Sequence, residues 1–190
     1  MSEDGFHVHG PHDHEMEHAA EGHGNSFTNR IAMFTAVIAT VGAIFGYMAG
    51  ATQANASLYK NNAAIKKTEA SNQWNFYQAK SGKQNLSELA MELAPAKRDF
   101  YEKEIARYKS EKGDIKANAE KLEVESVHWD EESDHEMHEH HRWAQATTLL
   151  QVAIAMAAIA LLTRKRWLQM AMYGTARAGV AVGVLAFLHI

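Results

Sequence analysis

Apolar residues gather in three long stretches of the chain, and polar residues fill most of the rest. The first stretch covers residues 31–51 and the second covers residues 143–162, and neither contains a charge. The third covers residues 167–190 and contains one charge, Arg177. A helix of about 20 residues spans about 30 Å, which is the thickness of the hydrocarbon core of a bilayer. The pattern therefore predicts three transmembrane helices.

Two other interpretations of these stretches fit the sequence less well. Three buried helices of a soluble protein would need apolar surface elsewhere to enclose them, and the rest of the chain lacks it. A cleaved signal peptide needs a positively charged front end, whereas the first 30 residues hold six acids and one arginine. We therefore interpret residues 31–51 as a retained membrane anchor and residues 1–30 as a disordered tail rich in histidine and acids.

The 91 residues between the first two stretches, 52–142, predict a long helical hairpin. They contain two glycines and one proline and are rich in good helix formers. Pro95 divides them into 43 and 47 residues, and two helices rooted in one membrane face require such near-equal arms. Pro95 also suits the first turn of the returning helix, so the tip is expected there. The expected fold is all-α: three transmembrane helices with an antiparallel, coiled-coil-like hairpin between the first and second.

Both predicted arms show residues at heptad spacing, which is typical of coiled coils. The returning arm offers a row of large side chains interleaved with a weaker row: Tyr101, Tyr108, Ile115, Leu122 and Trp129, with Ile105, Lys112, Ala119 and Ser126. The seam predicted for the outgoing arm consists of Leu58, Ile65, Asn72, Ala79, Leu86 and Leu93, with Phe76 and Ala90 between them. The aromatic run at residues 74–77 has two interpretations, a partner-docking patch or part of the hairpin or oligomer core.

Cations in the short loop predict the orientation of the chain. The connector 163–166 carries three cations in four residues, which places it in the cytoplasm under the positive-inside rule. Three spans then put the N-terminal tail in the cytoplasm and the hairpin on the outer side of a bacterial inner membrane. Lys60, Lys66 and Lys67 follow the first span on its outer side and argue for the opposite orientation.

Four parts of the chain carry a resemblance to a known family. They are NRIAMFTAV at residues 29–37, KKTEASNQW at 66–74 with YQAK at 77–80, LAP at 93–95, and LTRKRW at 162–167. Through these stretches the chain resembles a bacterial membrane-protein family catalogued only as a domain of unknown function, numbered 4337. The resemblance implies three spans with a helical insertion, and it implies no reaction, ligand or catalytic residue.

Histidine is the most distinctive chemical signal among the polar residues. Six of the 12 histidines lie in the tail, and five lie just before the second span: His7, His9, His12, His14, His18 and His23, then His128, His135, His138, His140 and His141. Imidazole suits Zn²⁺, Ni²⁺, Cu²⁺ and Co²⁺, so His135, His138, His140 and His141 are candidate metal ligands. The alternative is a solvated, pH-sensitive patch. The predicted topology puts the two clusters on opposite membrane faces, where they would share no site.

Small residues mark two of the spans. Glycines recur at four-residue intervals at Gly42, Gly46 and Gly50 in the first span, and at Gly179 and Gly183 in the third. Such stripes let helix backbones approach closely, so they predict helix–helix contacts, either within one subunit or between subunits.

Arg177 is the one charge predicted to lie near the middle of the bilayer, and such a residue is a functional candidate by default. No Asp or Glu occurs in the three apolar stretches. The remaining candidate partners are Thr147, Thr148, Gln151, Tyr47, a backbone carbonyl, or a neighbouring subunit. The alternative is an arginine whose head group snorkels to the membrane interface.

The remaining sequence narrows the function without identifying an activity. The formal net charge of −4 gives no nucleic-acid signature, the chain has no cysteine, and no catalytic motif is present, so we expect neither an enzyme nor a resident cofactor. The expected function is that of a structural or scaffold protein. It would associate with itself, or with another membrane or envelope protein, through the hairpin and the glycine-striped spans. The alternatives are a metal-handling accessory that uses the His/acid clusters, and a small oligomeric pore or transporter accessory.

Overall fold

The computed structural model describes residues 26–189, and its regular elements are all helical. Helix α1 covers Ser26–Leu93, a short 3₁₀ turn covers Pro95–Lys97, helix α2 covers Arg98–Thr163 and helix α3 covers Arg166–Phe187. No strand occurs within these 164 residues. The prediction of an all-α fold is therefore confirmed.

Each of the three helices contains a segment long and apolar enough to cross a membrane. In α1 and α2 this segment is only one part of a helix of 68 or 66 residues, whereas it takes up most of the 22-residue helix α3. The predicted number of membrane-length helices is confirmed for the part of the chain that the structure describes.

The break between α1 and α2 lies at Ala94 and Pro95, as the sequence predicts. Ala94 has φ −131° and ψ 71°, outside the helical region, because the ring of a following proline disfavours helical geometry. Its N–H still donates to the Ala90 carbonyl at 2.9 Å, and Lys97 N–H donates to the Ala94 carbonyl at 2.9 Å. Asp99 then lies in the first turn of α2, where a negative charge stabilises the helix end.

The connector between α2 and α3 is two residues long, Arg164 and Lys165. Arg164 adopts a left-handed conformation with φ 51°, which most L-residues avoid. Its N–H donates to the Ala160 carbonyl at 2.8 Å and closes the end of α2. Lys165 is extended and precedes the first residue of α3. Both cationic side chains are exposed.

The described residues divide into two compact units. The first contains residues 26–48 of α1, residues 142–163 of α2, and α3 with the residues on either side of it. Its core combines a few large side chains with alanines at helical spacing: Ile31, Ile38, Leu150, Leu168 and Met172 with Ala153, Ala157, Ala160 and Ala176. Aromatic contacts join its helices, with ring centroids 4.5 Å apart for Phe34 and Tyr173 and 5.2 Å apart for Phe45 and Trp143.

The second unit is Ala49–His141. It consists of the later part of α1, the 3₁₀ turn and the earlier part of α2. This unit contains the candidate interaction surface.

Candidate interaction surface

All buried residues of α1 in this unit except Thr52 lie on one seven-residue spacing. Ala49, Ala56, Ala63 and Ala70 are all buried, and Ala56 and Ala70 are only 1% exposed. Gln84 continues the same spacing and is also buried. We call Ala49, Ala56, Ala63 and Ala70 the inner row. Because alanine has one side-chain carbon, this row allows a facing helix to approach the α1 backbone closely.

Three side chains of α2 reach the backbone of the inner row. Ser126 Oγ donates to the Ala63 carbonyl at 2.9 Å, and Ser133 Oγ donates to the Ala56 carbonyl at 2.8 Å. His140 Nδ1 lies 2.8 Å from the Ala49 carbonyl oxygen. Each step of seven residues forward along α1 corresponds to seven residues backward along α2. The contacts therefore join the two helices in opposite chain directions.

Aromatic and long polar side chains make further contacts between the two helices. The rings of Tyr59 and Trp129 have centroids 5.4 Å apart. Trp74 Nε1 donates to Glu123 Oε1 at 3.2 Å. Lys112 Nζ lies 5.2 Å from the centre of the Tyr77 ring, a cation–π contact that accommodates a lysine in the seam.

The aromatic run at residues 74–77 is divided between two surfaces. Trp74 and Tyr77 are half-buried and contact α2, whereas Phe76 is exposed. Trp74 and Tyr77 therefore lie in the contact between the helices, as the second interpretation predicts, and a docking role for the exposed Phe76 stays a prediction.

Opposite charges flank the contact between the two helices. Lysines on α1 face acids on α2: Lys60 and Asp130 at 2.6 Å, Lys66 and Glu125 at 3.2 Å, Lys67 and Glu123 at 3.6 Å, and Lys80 with Glu111. The order of these pairs agrees with the order of the serine bonds. Exposed ion pairs stabilise a fold little, so we assign them mainly a role in selecting the register.

Three of the paired groups have shifted pKa values. The hydrogen bond from Lys80 lowers the pKa of the Glu111 carboxyl, and the positive charges of Lys80 and Arg107 act in the same direction. The hydrogen bond to Asp130 raises the pKa of Lys60. Hydrogen bonds to Glu69 and then to Glu125 raise the pKa of Lys66.

The seam predicted for the returning arm is confirmed. Ile105, Ala119 and Ser126 are buried, and the interleaved larger side chains are half-buried: Tyr101, Tyr108, Ile115, Leu122 and Trp129.

The seam predicted for the outgoing arm is wrong. Leu58, Ile65, Leu86 and Leu93 are 54%, 48%, 67% and 76% exposed, and Asn72 and Ala79 are exposed as well. We call these six residues the outer row. The inner row lies against α2 instead, because its alanines let the backbones approach until serine hydroxyls reach carbonyls, which leucine side chains would prevent.

The outer row is therefore an exposed set of mainly apolar residues with a regular period of seven along α1. Phe76 and Leu89 add further exposed apolar surface on the same helix, at 59% and 57%. Single exposed apolar side chains are ordinary on protein surfaces, but a regular repeat over 36 residues is the pattern that a coiled-coil seam shows.

The histidines before residue 142 do not gather into a cluster in the structure. His135, His138 and His141 are exposed on α2, and His140 is half-buried against Ala49. The ring centroids of His140 and His141 are 5.6 Å apart. Between residues 26 and 189, no group of three His, Asp or Glu side chains is placed to hold a metal ion. The tail histidines lie outside the described residues, and metal binding at either cluster stays a prediction.

The glycines of the spans differ in how closely other helices approach them. A Cβ added at Gly183 would lie 2.2 Å from the Phe45 ring, and one at Gly179 would lie 2.9 Å from Leu150. At Gly42 and Gly46 the nearest side-chain atoms would be 3.6 and 3.8 Å away. At Gly50 nothing lies within 4 Å. At Gly179 and Gly183 a Cβ therefore fits only if the Leu150 or Phe45 side chain shifts.

Arg177 lies on the exposed side of α3, near its middle. It forms no hydrogen bond or ion pair with any residue that the structure describes, so none of the candidate partners named from the sequence contacts it within the chain. Gln151 is also exposed and, within the same part of the chain, also forms no hydrogen bond.

Sequence reasoning missed the inner row and two of its partners, Ser133 and His140. A signal for them exists in the sequence: alanines at 49, 56, 63 and 70 match the spacing of Ser126, Ser133 and His140 in the opposite arm. The leucine-rich row obscured this signal, because apolar periodicity alone favours the larger side chains.

A family model described as "Domain of unknown function (DUF4337)" matches residues 27–189. No curated protein matches the chain, and no solved structure matches it. The matched region contains nearly all of the described helices, including the inner row, the outer row and Arg177. The chain therefore belongs to the DUF4337 family.

Proposed function

We propose that this protein is a membrane-anchored scaffold that associates with a second copy of itself through the outer row of α1. The observation that carries the proposal is the exposure of Leu58, Ile65, Leu86 and Leu93 at seven-residue spacing on a helix whose other face is already occupied by α2. A scaffold of this kind needs no catalytic residue, because it acts only by binding a partner through its exposed side chains.

The proposal includes the predicted hairpin. In it, residues 52–142 form an antiparallel, coiled-coil-like helical hairpin between the first two membrane-spanning segments, outside the bilayer. The serine-to-carbonyl bonds and the lysine–acid pairs support the antiparallel pairing. The polar composition of the segment supports its exclusion from the bilayer, because unpaired charges in lipid are costly.

A second copy is the partner that fits the period of the outer row. A seven-residue repeat stays on one side of a helix only if the helix winds around another one, so the complementary surface is itself a heptad row. A second copy supplies such a row with the same spacing. Both copies enter the same membrane through the earlier part of α1, so their outer rows run in the same direction and like residues face each other.

Asn72 supports a parallel pairing in register. It is the one polar residue of the outer row and lies third among the six positions. In parallel two-stranded coiled coils, a single buried asparagine pairs with its counterpart and selects both the register and the two-stranded state. In the proposed dimer Asn72 meets Asn72 of the second copy, and a shift of seven residues would oppose asparagine to an apolar side chain.

The proposed orientation follows from the cationic connector. Arg164 and Lys165, which lie between α2 and α3, and Arg166, the first residue of α3, are all exposed. We assign this connector and the N-terminal tail to the cytoplasm and the hairpin to the outer side of a bacterial inner membrane. Dimers would then present paired hairpins on that side, where another envelope protein can bind them.

Native mass spectrometry of the detergent-solubilised full chain tests the proposal. We expect dimers or larger assemblies for the wild-type protein and smaller assemblies, without the outer-row contact, for Ile65→Glu/Leu86→Glu, because two charges per chain would lie in the seam. The matched control is Ala64→Glu/Asn85→Glu, which adds the same charge at exposed positions one residue away and should leave the assembly intact. A monomeric wild-type protein, or equal dissociation by both double variants, would overturn the proposal.

A further inference from the structure

We infer that Arg177 pairs with Gln151 of a neighbouring copy of this chain within the membrane. The inference goes beyond the proposed function, because it assigns a second interface with different residues. It depends on the proposed function only in that the partner is another copy.

The first observation is that Arg177 lies far from both ends of α3 and has no partner in the described chain. It is 11 residues after Arg166 and 10 residues before Phe187, so about 15 Å of helix extends on either side. An arginine side chain is too short to cover this distance to a lipid phosphate without deforming the bilayer. Charged residues at such depth in membrane proteins nearly always face a polar group of the protein or a water-filled cavity.

The second observation is that Gln151 is exposed at the same depth. It lies 12 residues before Thr163, the last residue of α2, and the two-residue connector joins Thr163 to Arg166. Gln151 and Arg177 are therefore about 18 Å and 17 Å from the same membrane end of their helices. Gln151 Oε1 accepts hydrogen bonds and the Arg177 guanidinium only donates them, so the two groups are chemically complementary.

The third observation is that small residues surround both side chains. Gly174, Ala178 and Ala181 share the exposed side of α3 with Arg177, and a Cβ added at Gly174 would have no neighbour within 4 Å. Thr148, Ala155 and Ala158 are exposed on α2 near Gln151. Small side chains let membrane helices approach closely enough for hydrogen bonds to form between them.

Arg177 and Gln151 of one copy are both exposed and do not contact each other. The pair therefore forms between Arg177 of one copy and Gln151 of another. In this arrangement the α3 face of one copy contacts the α2 face of the next. Each copy has both faces, so the contact repeats and closes a ring when the rotation between copies allows it.

Disulfide crosslinking in liposomes tests this inference, because the natural chain has no cysteine. Ala155→Cys and Gly174→Cys each lie eight residues from the connector end of their helix, one turn from Gln151 and Arg177 respectively. We expect differently tagged Ala155→Cys and Gly174→Cys proteins, reconstituted together, to form a crosslinked heterodimer on mild oxidation. Absence of this heterodimer would overturn the inference.

Substitutions of Gln151 then test the pair itself. Gln151→Leu in both proteins should slow the crosslinking about tenfold, the size expected for one hydrogen bond between membrane helices. Gln151→Glu should preserve or accelerate the crosslinking, because a carboxylate also accepts hydrogen bonds from Arg177. In the Gln151→Glu protein, the further change Arg177→Gln should slow the crosslinking again. Crosslinking that is unaffected by Gln151→Leu would mean that Gln151 is not the partner of Arg177, and would also overturn the inference.

The same measurement in the Ile65→Glu/Leu86→Glu protein separates this interface from the outer row. Crosslinking between α2 and α3 that persists in that protein supports the membrane interface even if the outer row does not mediate association. Loss of the crosslink in that protein would overturn the inference, because the membrane contact would then not be a separate interface.

Discussion

At the scale of single residues, the absence of a side chain at Gly183 allows α3 to pack against Phe45. The position that a Cβ would occupy there is already filled by the Phe45 ring, at 2.2 and 2.3 Å from two of its carbons. That ring also packs against Trp143, with centroids 5.2 Å apart, which restricts the directions in which it can move. One missing methyl group thus allows a close contact among three helices.

We expect Gly183→Ala to destabilise the helical unit that contains it by about 1–3 kcal/mol, the usual cost of adding a methyl group to a well-packed core. Thermal unfolding followed by circular dichroism in detergent measures this effect. Gly174→Ala is the matched control on the same helix, since nothing lies within 4 Å of its added Cβ. Phe45→Leu should restore part of the loss in the Gly183→Ala protein. Equal stability of both alanine variants would contradict the assignment.

Residue identity predicted some contacts well and others poorly. The sequence predicts Gly179 and Gly183 as contact positions, because glycines four residues apart in an apolar stretch commonly mark a contact between helices. Their partners were not predictable, since the spacing does not say which helix approaches. Ser133 and His140 were missed as contact residues because polar side chains in a charged segment look the same whether they face water or a carbonyl.

At the scale of helices, small side chains decide which face of α1 lies against α2. Ala63 belongs to the inner row and is buried, whereas Ala64 is exposed. The backbone at Ala63 accepts the Ser126 hydrogen bond at 2.9 Å, so there is no room for a larger side chain between the helices.

We expect Ala63→Leu to destabilise the paired helices by about 1–3 kcal/mol and Ala64→Leu to change their stability by less than about 0.5 kcal/mol. Denaturant unfolding of the full chain, followed by circular dichroism, checks both values. If Ala64→Leu proved the more damaging change, α1 would face α2 with a different side.

Helix pairing also has a predictable dependence on pH. The pKa of Glu111 is lowered in the folded protein by the Lys80 hydrogen bond, so its contribution is present above its unfolded pKa and is lost as pH falls through the folded value. The pKa values of Lys60 and Lys66 are raised, so their contributions are present below their unfolded pKa and are lost as pH rises through the folded values.

We therefore expect the stability difference between wild type and Glu111→Gln to be largest near neutral pH and to shrink below about pH 4.5, where carboxyl groups become protonated. Chemical unfolding at a series of pH values measures it. Glu120→Gln is the control, because Glu120 pairs with Lys116 of its own helix at 3.6 Å and joins no second helix. A difference that grows in acid would contradict the role of the Lys80–Glu111 pair.

The sequence predicts where the helices lie, but it does not predict all of the faces through which they contact each other. Pro95 predicted the break between α1 and α2, since the residue before proline avoids helical geometry. Heptad spacing predicted the buried side of α2, where one apolar row dominates. Heptad spacing failed on α1, because the inner row and the outer row have the same period and lie two residues apart. The period alone does not say which of the two rows contacts α2.

At the scale of the whole molecule, the two rows of α1 have separate uses in the function we propose. The inner row joins the helices of one chain through close backbone contact, and the outer row joins two chains through larger side chains. Both rows have a period of seven residues, so one helix can serve two coiled-coil contacts without changing its winding. In the proposed function, the membrane segments would hold the copies in one plane, where even a weak outer row has a high effective concentration of partner.

The most direct test is a single-cysteine scan of residues 55–93 in native membranes, with disulfide formation between copies as the measurement. Parallel, in-register dimers should give maxima at 58, 65, 72, 79, 86 and 93, because like residues face each other there, and minima at inner-row positions 56, 63 and 70. No crosslinked dimer at any outer-row position, or maxima at the inner row instead, would contradict the proposed self-association.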